Sequence, residues 1–153
     1  MGNHLTKEQM LEILLRHDAA EGRGDLDAVM ATVSSNPFYE FHPAGITLDT
    51  FDAVRELYRA ALPGYVPLLA SAKQLDFWYN DTSCAAEFEF LVPLESGEFH
   101  RAQLFVIIEF DGELLQAERG YIDFIFEKHH TAVLGAELLK FPGVRVINAA
   151  TSN

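Results

Sequence analysis

The sequence predicts an α+β domain in which three N-terminal helices pack on one face of a curved antiparallel sheet. Two observations predict it. Residues 5–62 carry apolar side chains at helical spacing between helix start and stop signals. Residues 73–128 then switch to runs rich in aromatic and branched residues, separated by turn signals, as an antiparallel meander requires.

Each element has its own warrant. Thr6 followed by Gln9 fits a capping box, with Leu5 placed to staple onto the first turn; Met10, Leu11, Leu14 and Leu15 then recur at helical spacing. Glu21-Gly22-Arg23-Gly24 breaks this helix, and Asp25 can cap a second one carrying Leu26, Val29, Met30 and Val33. Pro37 begins an extended piece, Phe38-Tyr39-Glu40-Phe41-His42, which Pro43-Ala44-Gly45 closes as a turn. A third helix is expected from about residue 50 to 62, burying Phe51, Val54, Leu57 and Tyr58, with Pro63-Gly64 as its stop. Strands are expected over residues 73–79, 83–94, 99–110 and 114–128, joined at Asn80-Asp81, Glu95-Ser96-Gly97 and Asp111-Gly112. The domain so defined covers residues 1–128. Residues 129–153 read as a C-terminal tail in which Leu134, Leu138 and Leu139 can form a short helix.

Composition narrows the function. At 153 residues the chain makes one domain, and 49% hydrophobic residues exclude intrinsic disorder. Eleven Lys and Arg against 23 Asp and Glu give a net charge of −12, which repels phosphate backbones and anionic lipid surfaces, so no nucleic acid and no membrane is expected as partner. The dispersed acidic residues read as a solvated surface. The longest apolar run, residues 104–108, is far short of the ~20 residues of a membrane span, and no signal peptide is evident. A lone cysteine, Cys84, forms no internal disulfide and suits a reducing cytoplasm.

Strand register decides which side chains share a face, since a slip of one residue exchanges the faces. A three-residue Glu95-Ser96-Gly97 loop aligns Phe88, Phe90 and Val92 with Leu104, Ala102 and His100, and keeps Glu87, Glu89, Arg101 and Gln103 together on the opposite face. A two-residue Asp111-Gly112 turn pairs Phe110 with Glu113 and sets Val106, Leu104, Ala102 and His100 opposite Ala117, Arg119, Tyr121 and Asp123. One face is then apolar with polar groups gathered at one end, the expected wall of a small-molecule pocket in which Phe88, Phe90, Leu104 and Val106 contact the ligand. The other keeps Phe105, Ile107, Ile122 and Phe124 among charges and reads as a homodimer face.

Several short motifs carry a resemblance: Gly24-Asp25-Leu26-Asp27-Ala28-Val29, Phe41-His42-Pro43-Ala44-Gly45, Phe51-Asp52-Ala53-Val54, Gly112-Glu113-Leu114-Leu115 and Arg119-Gly120-Tyr121-Ile122-Asp123. In this layout the chain resembles the nuclear transport factor 2-like (cystatin-like) superfamily. Within it the chain is most similar to SnoaL-like polyketide cyclases and more distantly to ketosteroid isomerases and limonene epoxide hydrolases. The resemblance implies a cone-shaped pocket. It sets His42 at the position of the isomerase's proton-shuttling Asp, His17 at that of its first-helix Tyr, and Val106 at that of its second oxyanion donor. Asp123 is the nearest match to the cyclase acid/base Asp, and Arg119 stands where the epoxide hydrolase has an acid.

The candidate catalytic residues are His42, His100, Asp123 and Arg119. A histidine titrates near neutral pH, so His42 fits a general base, though it can equally brace the adjoining turn. His100 and Asp123 form an acid/base dyad if the register holds, or a polar pair at the sheet end. Arg119 can hold an oxyanion or balance Asp123 or Glu40. Tyr121 can donate to a developing oxyanion, and His17 can reach the cone interior. Trp78 and the Phe-rich strands read as core and pocket wall. His129-His130 is weak evidence for a metal because adjacent side chains diverge, and no cofactor motif occurs. Together these readings predict a cofactor-free isomerase, cyclase or dehydratase acting on a small apolar carbonyl compound, with a non-catalytic binding or dimerisation module as the alternative.

Overall fold

The structure is a computed structural model that describes residues 4–147. The first helix, α1 (Lys7–Gly22), starts as the sequence predicts: Thr6 Oγ1 accepts from the Gln9 N–H at 3.2 Å while Gln9 Oε1 accepts from the Thr6 N–H at 2.8 Å. Its buried stripe is Met10, Ile13, Leu14, His17 and Ala20; Leu15 falls outside it and is exposed. Asp25 caps α2 (Leu26–Met30), which is shorter than expected, because Val33 already opens the strand β1 (Val33–His42). Pro37 therefore lies within β1. It sits where the register slips between Val33 and Phe38, a place where its missing N–H costs no ladder bond.

After β2 (Ile46–Leu48), helix α3 runs from Phe51 to Leu69, straight past the expected stop at Pro63-Gly64. Packing overrides the local breakers here: Ala61, Leu62 and Leu68 are buried on either side of the two prolines. Gly64 is a site of close approach, since a Cβ on it would sit 2.8 Å from Val133 Cγ1 on the next helix.

The strands β3 (Lys73–Tyr79), β4 (Ser83–Pro93), β5 (Phe99–Asp111) and β6 (Leu114–Ile122) follow, then helix α4 (Phe124–Leu138) and β7 (Val144–Val146). The sheet order is β3-β4-β5-β6-β1-β2-β7, antiparallel throughout except for the parallel pair β1–β6. The last long strand thus ends at Ile122, not at residue 128. Asp123 converts strand to helix by accepting from the Ile125 and Phe126 N–H groups at 3.0 and 2.9 Å. Phe126, His130 and Leu134 form the buried stripe of α4, and Leu138 is buried beyond Gly135, whose φ of 73° kinks the helix. A domain boundary at residue 128 is corrected accordingly: it would cut α4, which packs into the core, and β7, which pairs with β2.

The core has two main parts. One joins α2, α3 and α4 to β1 and β2, centred on Tyr39, Leu57 and Tyr58. The other seats Met10, Ile13 and Leu14 of α1 on Cys84, Ala86, Val106, Ile108 and Leu115 of the sheet. Among the described residues no helix is long and apolar enough to cross a membrane.

Candidate functional site

The β4–β5 register is the expected one, with Phe88, Phe90 and Val92 opposite Leu104, Ala102 and His100. The β5–β6 register is not. Asp111 pairs with Leu114 and Phe110 with Leu115, but Glu109 pairs with Ala117, so Gln116 is the extra residue of a β-bulge. Beyond the bulge the faces exchange. Val106 lies opposite Gly120 and Leu104 opposite Ile122, while Arg119 and Tyr121 turn outward opposite Ile107 and Phe105. Glu118 turns inward.

Between α1, the end of α3 and the concave sheet face is a cavity of about 420 Å³. Phe88, Phe90, Leu104 and Val106 form its wall as the sequence predicts, and His17 reaches it from α1. Three further members, Asp18, Glu21 and Glu118, escaped the sequence reading, and no Lys or Arg lines the cavity. His17 is nearly fully buried. The Thr32 hydroxyl donates to the Val29 carbonyl at 2.6 Å, so Thr32 Oγ1 must accept from His17 Nδ1–H, also at 2.6 Å. His17 Nε2 then faces the Tyr58 hydroxyl at 3.0 Å and Glu21 Oε1 at 3.3 Å. Burial pulls the His17 pKa down, but Glu21 at hydrogen-bond range outweighs it and the net shift is upward.

The carboxyls carry the opposite strain. Burial, reinforced by the Glu21 charge, pushes Glu118 up to about 7 in spite of His17, and Asp18 rises to about 6 for the same two reasons. Glu118 has no ion-pair or hydrogen-bond partner among the described residues. A carboxyl of this kind can give or take a proton at neutral pH.

Glu21, Leu69, Phe90, Leu104 and Glu118 also wall a smaller chamber of about 100 Å³. At its far side the Tyr65 hydroxyl lies 2.6 Å from His130 Nε2. Burial depresses His130 to about 4, with His129 adding to it, so the imidazole is neutral at pH 7 when it hydrogen-bonds to the phenol.

The other candidates lie elsewhere. His42 is on the convex face, stacked on Tyr121 at 5.0 Å between ring centroids and 2.6 Å from Glu40 Oε1, and it does not reach the cavity. Arg119 pairs with Glu109 at 3.0 Å on that same face. His100 and Asp123 do meet, at 3.2 Å, but outside the cavity. Asp123 is the α4 cap and also accepts from the Gln103 N–H at 2.9 Å. Burial raises its pKa, yet the Phe126 and Gln103 amides and His100 prevail and hold it below the usual carboxylate value, which marks a structural anchor. Ile122 lines the smaller chamber, not the convex face, and Phe124 projects from α4. Trp78 is half-exposed on the convex face and forms neither core nor pocket wall. Burial pushes the Cys84 thiol up to about 12, leaving it unreactive. No group of three or more His, Cys, Asp or Glu among the described residues is arranged to hold a metal ion.

No protein-family profile matches the chain, and no curated protein matches it. Solved structures do. A protein with a cystatin-like fold from Silicibacter pomeroyi superposes with a TM-score of 0.66 at 13% identity, over 86% of this chain and 94% of that one. A nuclear transport factor 2-like protein from Burkholderia xenovorans gives 0.61 at 16% identity, over 82% and 98%. A Bacillus subtilis protein assigned provisionally as an isomerase gives 0.64 at 18% identity, over 80% and 92%. At such identities the likeness establishes the fold, which is the nuclear transport factor 2-like, cystatin-like cone.

Proposed function

We propose that the protein is a cofactor-free acid/base enzyme acting on a small, apolar, carbonyl-bearing compound, with Glu118 as its base. One observation carries this reading: an unpaired carboxyl, held near neutral pKa, stands inside an apolar cavity whose only cationic side chain is His17. Glu118 takes the proton from the carbon beside the carbonyl, and the C–H electron pair moves onto the carbonyl oxygen. The His17 imidazolium offsets the charge that develops on that oxygen. Return of the proton from Glu118 to another carbon completes an isomerisation; transfer of that proton to a hydroxyl on the next carbon, which leaves as water as the enolate's electron pair forms the C=C bond, instead gives a dehydration. Coupling among the carboxyls lets the cluster hold a proton and a vacancy together near pH 7.

The test needs no knowledge of the natural substrate. Deuterium uptake beside the carbonyl of β-tetralone, followed by NMR in heavy water near neutral pH, is expected to exceed the buffer rate. Uptake at the buffer rate while the ketone is bound would sink the catalytic reading and leave a small-molecule-binding module. A reducing compartment such as the cytoplasm suits the free, buried thiol of Cys84.

We also propose a homodimer through the convex sheet face. Trp78, Phe105 and Tyr121 form an exposed aromatic stripe there, with centroids 5.9 and 6.5 Å apart. Two neighbouring charge pairs are matched within the protomer, Arg101 with Glu89 at 3.1 Å and Arg119 with Glu109 at 3.0 Å, whereas Glu87, opposite Phe105, and Asp76 beside it have no ion-pair partner among the described residues. Light scattering is expected to give the dimer mass for the wild type and the monomer mass for Phe105→Glu. A monomeric wild type at about 100 μM, far above the concentrations at which stable dimers dissociate, would remove the proposal.

A further inference from the structure

The smaller chamber has a chemistry of its own. It opens from the same wall as the main cavity, since Glu21, Leu69, Phe90, Leu104 and Glu118 belong to both. Its remaining lining is apolar, with Phe41, Ile122 and Phe126, except for one polar pair, Tyr65 and His130. Neither Lys nor Arg lines either space, and His17 lines only the main cavity, so an anion in the smaller chamber would meet Glu21 and Glu118 with no cation among its own walls. The sense of the pair follows the His130 tautomer: with the imidazole proton on Nδ1, Tyr65 spends its own proton on Nε2 at 2.6 Å, and the phenol oxygen keeps a lone pair to accept and no proton to give. The two rings are stacked within 13° of parallel, and the Phe41 ring packs edge-on against His130, which holds the acceptor in place.

We propose that the smaller chamber is a specificity subsite, and that the ligand is an elongated, uncharged, largely apolar molecule whose leading end carries a hydroxyl that donates to Tyr65. The inference rests on the reading that the main cavity binds an apolar compound, and it adds the length, charge and terminal group of that compound. Glu118 then lies alongside the middle of the ligand, and the hydroxyl is anchored beyond it. Tyr65 and His130 take no part in proton transfer. They set the position of the ligand along the cavity.

A matched set of four probes tests this by titration calorimetry at pH 7: biphenyl, para-phenylphenol, para-methoxybiphenyl and biphenyl-para-carboxylate. The phenol is expected to bind roughly 3- to 12-fold more tightly than biphenyl, the yield of one neutral hydrogen bond. The methoxy compound accepts but cannot donate and is expected to gain nothing over biphenyl. The carboxylate is expected to bind at least about tenfold more weakly, given the cost of an unpaired buried anion. Tyr65→Phe is expected to abolish the preference for the phenol over biphenyl, because the acceptor oxygen is lost. A wild type with no preference for phenol over biphenyl would overturn the proposal, as would a preference that survives in Tyr65→Phe. The methoxy comparison uses the wild type alone and stands even if the variant fails to fold; equal gains from hydroxyl and methoxy would also overturn the donor geometry. Biphenyl binding without any hydroxyl preference would sink the subsite and leave the main cavity intact. Failure of biphenyl itself to bind would sink the cavity reading and the subsite with it.

Discussion

A Glu118→Gln variant is expected to be more stable than the wild type at pH 9, by ~3 kcal/mol, and within about 1 kcal/mol of it at pH 5. The reasoning runs through the proton. Unfolded, this carboxyl titrates at 4.5; folded, burial and the Glu21 charge push it up to about 7. Between those values the native state keeps a proton that the unfolded chain releases, so stability falls as pH rises through the window and levels off above it. A shift of this size corresponds to ~3 kcal/mol, and glutamine, which has the shape of the protonated acid but cannot ionise, escapes it. Urea midpoints at the two pH values measure the difference. The same substitution is expected to lower deuterium uptake into β-tetralone by ~10²–10⁴-fold, the usual contribution of a general base. A variant both more stable and less active is the signature of a residue kept for chemistry at the expense of the fold. Equal midpoints at both pH values would mean that the carboxylate is solvated outside the cavity, and would remove it from the mechanism.

Why Glu118 was invisible in the sequence is a matter of one residue. The Glu95-Ser96-Gly97 loop allowed a single parity for β4 and β5 that kept charges off the apolar row, and burial enforced it, so Phe88, Phe90, Leu104 and Val106 were correctly placed. The second hairpin turns at Gly112-Glu113 and not at Asp111-Gly112, a shift of two in the pairing that keeps the parity, but Gln116 bulges out of β6 and exchanges the faces beyond it. An ordinary glutamine gives no sign of a bulge, so Arg119, Tyr121 and Asp123 were assigned to the cavity in place of Glu118 and Ile122. His100 and Asp123 meet for a different reason from the one the pairing implied: Asp123 caps a helix that happens to start beside His100. The sequence of α4 did carry a helical signal, Phe126, His130 and Leu134 four residues apart, masked by the aromatic and branched Phe-Ile-Phe that opens it. Likewise Pro63-Gly64 reads as a stop, because the packing of Val133 on Gly64 is visible only in three dimensions. For the site itself, the legible part was His17, which falls on the same helical stripe as Ile13 and Ala20. Glu21 lies one turn beyond it, at a spacing that brings the two side chains together. In an acidic chain, such carboxylates are indistinguishable from a solvated surface until the cavity is known.

His17→Leu is expected to cost ~3–5 kcal/mol at pH 6, the range for removing one partner of a buried pair. His17 and Glu21 are only 4% and 12% exposed, so Glu21 is left with little water to replace the imidazolium. The neighbours isolate this effect: Thr32 keeps its bond to the Val29 carbonyl and Tyr58 keeps Tyr39 as a partner at 3.4 Å. The pH dependence gives the sign. The folded His17 pKa lies above its ordinary 6.5, so the stabilisation it brings is complete below 6.5 and is lost as pH rises through the folded value. The gap between wild type and variant should therefore be widest at pH 6 and shrink by pH 9, as read from urea midpoints. A gap that is the same at both would show that the ring only fills space. Removing the cation also takes away the one influence that lowers Glu118 and Asp18, so both must rise further. The deuterium-uptake profile of His17→Leu is then expected to move toward alkaline pH, with a plateau that falls less than that of Glu118→Gln, because the base is still present and only the charge-offsetting imidazolium is lost. A plateau that falls as far as that of Glu118→Gln would instead make His17 a direct participant in the proton transfer.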